Sequence, residues 1–141
     1  TCSAFGPCIE AVKADNPRLP VLKPNEAMIE EAQALAGDKG ARIALLASFA
    51  PTLDTMPAEF PGSITLVPAH IPRALAALDR GDGAEHDRLA AEAARDLAHC
   101  DAIALAQFSL ARAAPAVAAA SGRPVLTTPH SAVRKLRRLL A

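Results

Sequence analysis

The chain has 141 residues, 51% of them hydrophobic and 21% charged, and fifteen Lys+Arg balance fifteen Asp+Glu to leave no net charge. That balance excludes a disordered chain, and 14.6 kDa is one domain of ordinary size with room for a buried core. With no basic excess and no Trp or Tyr among 3% aromatics, a nucleic-acid partner has neither electrostatic nor stacking support, and no apolar run nears the roughly 20 residues of a membrane span.

In chain order, Leu19-Pro20-Val21-Leu22 reads as a short strand. Asn25 suits the N-cap of a helix from Glu26 to Ala36 that Gly37 stops. Arg42 to Ala47 is an apolar run between Gly40 and Pro51, suited to a strand buried on both faces of a parallel sheet. Pro51 then opens a helix from Thr52 to Glu59. Ser63 to Val67 is the next strand, Ile71 to Asp79 the next helix, and Gly81-Asp82-Gly83 a turn. From Glu85 to His99, Leu89, Ala93 and Leu97 recur at helical spacing between charged residues. Ala102 to Ala106 is a strand, and Gln107-Phe108-Ser109 leads into a helix ending near Ala120. Pro124 to Thr127 is the last strand and Ser131 to Leu140 the last helix. The alternation predicts an α/β fold, mostly parallel, with flanking helices.

Ligands of such sheets gather beyond the carboxyl ends of the strands. Small polar residues stand at several predicted strand ends: Ser48, Gln107 to Ser109, and Thr127-Thr128, with Cys2-Ser3 in the same place on a strand that would precede Thr1. Cys2 also lies just ahead of Gly6-Pro7, where a helix start would favour its thiolate. A buried structural cysteine fits that position as well, and is the reading for Cys8 and Cys100.

Three cysteines form neither a CxxC pair nor an even set, which points to a reducing, cytoplasmic setting. The amino end carries no basic region followed by an apolar stretch, so no leader is expected. His86-Asp87 is ordinary helix-start chemistry. His70 and His99 lack partners at ligand spacing, and His130 follows Pro129 near a strand end that would face the site. Arg134, Lys135, Arg137 and Arg138 read as a solvated helix face. Phosphate-loop, dinucleotide and metalloprotease motifs do not occur in the sequence.

The order of several short segments resembles a known family. They are Thr1-Cys2-Ser3, Ile43 to Ser48 with Thr52-Leu53, His86-Asp87, Leu105 to Leu110, and Pro124 to Pro129 with Ser131-Ala132-Val133. Together they are similar to the aspartate/glutamate/hydantoin racemase superfamily, which includes maleate isomerase and arylmalonate decarboxylase. The resemblance implies two similar α/β domains with the active site in the cleft between them, and this chain matches the later part. Residues 1–40 would end the first domain, 41–122 would form the second, and 123–141 would return a strand and helix to the first. The family's opening elements have no counterpart before Thr1, so part of a longer enzyme is expected.

In those racemases two cysteines act from opposite sides of a substrate Cα, as acid and base. A Cα proton beside a carboxylate is weakly acidic, so placed proton carriers and stabilised negative charge are required. Cys2 matches the first cysteine; the second falls at Gln107, which exchanges no proton at neutral pH. Two-thiol racemisation is therefore not supported, and a one-thiol reaction with Cys2 as acid/base or nucleophile stays open. Ser3, Ser48, Thr52, Phe108, Ser109, Thr127 and Thr128 match positions that bind substrate carboxylates, and Gln107 lines the same site.

The function implied is a cofactor-independent isomerase, amino-acid or hydantoin racemase-like, acting at the carbon next to a carboxylate. A decarboxylase of the same superfamily and a non-catalytic carboxylate-binding protein are the alternatives. The implied partner is a small carboxylate substrate, with no metal, cofactor, membrane or nucleic acid, and a homo-oligomer stays open.

Overall fold

A computed structural model describes residues 6–141 of the chain. Its centre is a four-stranded sheet in the order β2-β1-β3-β4, parallel throughout. The strands are β1 (Ala41–Ala47), β2 (Ile64–His70), β3 (Ala102–Leu105) and β4 (Val125–Thr127). The helices are α1 (Gly6–Asp15), α2 (Glu26–Ala36), α3 (Thr52–Thr55), α4 (Ala74–Asp79), α5 (Gly83–Arg95), α6 (Ala114–Ser121) and α7 (Thr128–Leu140). The α/β alternation expected from the sequence is the architecture observed.

The alternating direction of strand side chains sorts the apolar residues into two cores. Ala44 and Leu46 of β1, with Ile103 and Leu105 of β3, meet Leu89, Ala90 and Ala94 of α5 and Val117 of α6. On the opposite face Ile43, Leu45, Ala102 and Ala104 meet Met28, Ala32 and Ala36 of α2. Every residue of β3 is fully buried, which is why this strand reads as unbroken apolar sequence. Burial of each Ile or Leu in these layers contributes roughly 1.5–3 kcal/mol. On the α2 side β3 presents only alanines, Ala102 and Ala104.

The turn into β1 requires glycine. Gly37 ends α2 at φ 49°, and Gly40 enters the strand at φ 74°, where a Cβ would stand 3.0 Å from the Ser63 carbonyl oxygen. Further on, the Asp82 carboxylate accepts a hydrogen bond from the Glu85 N–H at 3.0 Å and caps α5.

Several expected boundaries move, each for a local reason. Leu19 to Leu22 form no strand: Pro20 offers no ladder donor and Leu19 is 64% exposed. β2 runs on through Pro68 to His70, which an edge strand tolerates. The helix expected from Ile71 starts only at Ala74, because Pro72 disfavours helical geometry at Ile71 and Arg73 adopts a left-handed φ of 66°. The helix after β3 is divided into a 3₁₀ segment, Phe108–Ala113, and α6, with a proline in the first turn of α6.

The segment over 123–141 supplies β4, which pairs with β3, and α7, which lies along α2. Among the described residues no helix is long and apolar enough to cross a membrane.

Candidate functional site

The strand order defines one crevice. From β1 the chain crosses to β2 on one side, while β3 and β4 lie on the other. At such a switch point the connections leave in opposite directions and open a gap beyond the carboxyl ends of β1 and β3. Ser48 follows β1 and Gln107 closely follows β3, so both stand at this gap.

They are bonded to each other there. The Gln107 carboxamide oxygen accepts the Ser48 N–H at 3.0 Å, with the Ser48 hydroxyl at 3.4 Å, and its nitrogen donates to Thr52 Oγ1 at 2.8 Å. A backbone N–H only donates, so the amide oxygen must face Ser48 and the nitrogen Thr52. Ser48 is 5% exposed. Ser109 is half-buried, and Phe49 and Phe108, which follow Ser48 and Gln107, are exposed large apolar side chains. Phe49 is not among the residues that the sequence singles out, although it directly follows a strand-end serine.

Thr127 and Thr128 stand at the end of β4, beside β3, and are both buried. Thr127 Oγ1 accepts the His130 N–H at 3.3 Å and lies 2.8 Å from His130 Nδ1, so it caps α7 and joins the exposed His130 to the rim. The Thr128 hydroxyl donates to Asn25 Oδ1 at 3.3 Å, and Asn25 Nδ2 donates to Glu59 Oε2 at 3.1 Å. Asn25 therefore does not cap α2 with its side chain; it ties α2 to two distant segments. The structure thus groups Ser48, Thr52 and Gln107 by direct hydrogen bonds, and places Thr127 and Thr128 in a second cluster along the same edge. Cys2 and Ser3 lie outside the described residues.

A further polar group sits within the fold. His86, on the first turns of α5, is completely buried, and its Nδ1 lies 2.9 Å from Asp87 Oδ1. Asp87 in turn accepts from Arg112 Nε at 3.0 and 3.1 Å. The carboxylate accepts only, so Nδ1 is the donor in this contact and Nε2 is left as the ring's other polar atom. That Nε2 is buried without a hydrogen-bond partner among the described residues. Helix-start chemistry alone does not describe His86, whose spacing to Leu89 and Ala90 puts it on the buried face of α5.

The basic cluster of α7 is half engaged. Arg134 and Ser131 hydrogen-bond Glu31, and Lys135 bonds Glu26 and Glu30. The Arg134 guanidinium, helped by the Ser131 hydroxyl, holds the Glu31 carboxyl below its ordinary range against the effect of burial. Burial pushes the Glu26 carboxyl up, but hydrogen bonds from Lys135, the Lys23 N–H and Lys13 leave it lowered on balance. These contacts fasten α7 to α2. Of the described cysteines, Cys8 is exposed, and Cys100 is buried with its thiol pushed up by that burial. Among the described residues no three His, Cys, Asp or Glu side chains converge as metal ligands would. A depression lined by Leu35, Gly37, Lys39 and Asp101 lies at the amino ends of β1 and β3, away from the crevice.

No protein-family model and no curated protein matches the chain.

Proposed function

We propose that the chain is a cofactor-independent isomerase of the aspartate/glutamate/hydantoin racemase kind. It would act at the carbon beside a carboxylate of a small acid, in a cleft between two α/β domains. Cys2 serves as the thiol acid/base or nucleophile, while Ser3, Ser48, Thr52, Ser109 and Thr127 hold the carboxylate through hydroxyl and backbone N–H donors. The observation that carries this reading is the convergence of Ser48 and Thr52, with Gln107, at the β1/β3 switch point.

The test has two arms. Iodoacetamide near neutral pH should label Cys2 ahead of Cys8 and Cys100; equal, slow labelling of all three removes the activated thiol. Turnover, followed as solvent deuterium entering Cα of aspartate, glutamate or a hydantoin, should vanish in Cys2→Ala and persist in Cys100→Ala.

A second reading is favoured by the commitment of Gln107 to Ser48 and Thr52: a protein that binds small carboxylates without chemistry. Ligand-dependent thermal stabilisation with no deuterium exchange would select it.

A further inference from the structure

The rim beyond the carboxyl ends of β1 and β3 already holds a planar polar group. β1 ends its ladder at Ala47, and the next N–H, that of Ser48, goes to a side chain 59 residues away in sequence. The Gln107 carboxamide meets two kinds of partner there. Ser48 offers an N–H and a hydroxyl to one atom, and the Thr52 hydroxyl accepts from the other. A hydroxyl donates as readily as it accepts, so Thr52 can turn its proton toward a second oxygen. The same three groups therefore suit a primary amide as they stand, and a carboxylate after one hydroxyl rotation.

We infer that Ser48 and Thr52 form a binding notch for a planar amide or carboxylate group, and that Gln107 is its built-in occupant. An external ligand reaches the notch only when the Gln107 side chain turns out of it, so Gln107 sets the threshold for binding rather than adding a contact to the ligand. A tethered group competes at a high effective concentration, which makes the wild-type notch selective for ligands with further anchoring elsewhere on the rim. Phe49 and Phe108, which follow Ser48 and Gln107 in the chain and are about half exposed, offer apolar surface for such anchoring. The inference rests on the carboxylate-binding rim of the function proposed above but not on Cys2, so an inert thiol leaves it standing, whereas an empty notch removes Ser48 and Thr52 as holders of the carboxylate.

Gln107→Ala empties the notch without touching its walls. Acetamide and acetate, titrated separately to about 100 mM, suit a fragment of so few atoms. In Gln107→Ala both should shift the Ser48 amide resonance saturably and raise the melting temperature. The wild type and Gln107→Glu, which keeps an acceptor against Ser48, should bind at least about tenfold more weakly. Response to acetamide alone or to acetate alone also supports the notch and names its preferred group. If Gln107→Ala does not fold, Gln107→Asn, one methylene shorter, serves in its place. Absence of a saturable shift at Ser48 in the folded variant, or equal binding by the wild type, overturns the inference.

Discussion

Replacing His86 by leucine should leave the protein about as stable as before, although the ring is completely buried and bonded to a carboxylate. The exchange loses one hydrogen bond to a charged group, about 1.5–3 kcal/mol. It also removes Nε2, a ring nitrogen that is buried with no partner among the described residues and costs about 1–3 kcal/mol to keep dry. Asp87 is not orphaned by the change, because Arg112 still reaches both of its oxygens. The two effects offset to within about 1 kcal/mol, or about 2–4 °C in Tm for a chain of this size. Asp87→Ala behaves differently: it leaves both ring nitrogens unpartnered in the core, at about 1–3 kcal/mol. In a His86→Leu background the same Asp87→Ala change removes only a surface ion pair, worth about 0–1 kcal/mol. A double-mutant cycle by urea denaturation should therefore show a coupling of about 1–2 kcal/mol. Leu89→Ala, one turn along α5, is the reference for ordinary core damage at about 2–5 kcal/mol. If His86→Leu costs as much as Leu89→Ala, Nε2 has a partner in solution and the reasoning fails.

Gly40→Ala should destabilise by about 1–3 kcal/mol, since it combines a left-handed backbone with a Cβ placed 3.0 Å from the Ser63 carbonyl oxygen; a melting temperature equal to wild type would remove that strain. Ala104→Leu should cost about 1–3 kcal/mol by overpacking the α2 face of β3, where Ala104 is fully buried. Glu31→Gln should lower stability at neutral pH and make little difference in acid. A folded-state carboxyl held below its ordinary value near 4.5 stabilises above that pH, and the contribution fades as pH falls through the lowered value. Urea midpoints at pH 7 and pH 3 measure this, and an undiminished difference at pH 3 would refute the assignment.

What could be seen in the sequence was set by the range of the interactions involved. β1 and β3 were legible because a strand buried on both faces must be apolar throughout, and nothing distant is needed to see it. The limits of α4 and β2 were not, because they turn on Pro72, Arg73 and the edge position of a strand carrying Pro68. His86 was within reach: three and four residues before Leu89 and Ala90, it lies on the apolar face of α5. A His-Asp pair in a first turn fits a helix start equally well, so the pattern reads two ways. Asn25 was out of reach, since its partners Glu59 and Thr128 lie 34 and 103 residues away. The rim residues fall between these cases. Their strand-end positions were legible, whereas the bonding of Ser48, Thr52 and Gln107 to one another required the strand order.

That bonding also sets the standard of proof for function at the crevice. Once β1 stops pairing, the Ser48 N–H must find an acceptor or cost about 1–3 kcal/mol, whatever the protein does. Gln107 meets this need with its oxygen and places its nitrogen on Thr52, so stability alone accounts for a carboxamide at this position. A loss of stability in Gln107→Ala is then expected under every reading and discriminates nothing. The discriminating quantity is what the variant gains. A notch built only to satisfy the fold admits water and stays indifferent to acetamide and acetate, whereas one shaped for a ligand takes them up in place of the missing side chain. Reactivity at Cys2 is a separate axis, because a thiol needs an activated environment whether or not the notch is occupied. Labelling together with a filled notch supports an isomerase; a filled notch with an inert thiol supports a binding protein.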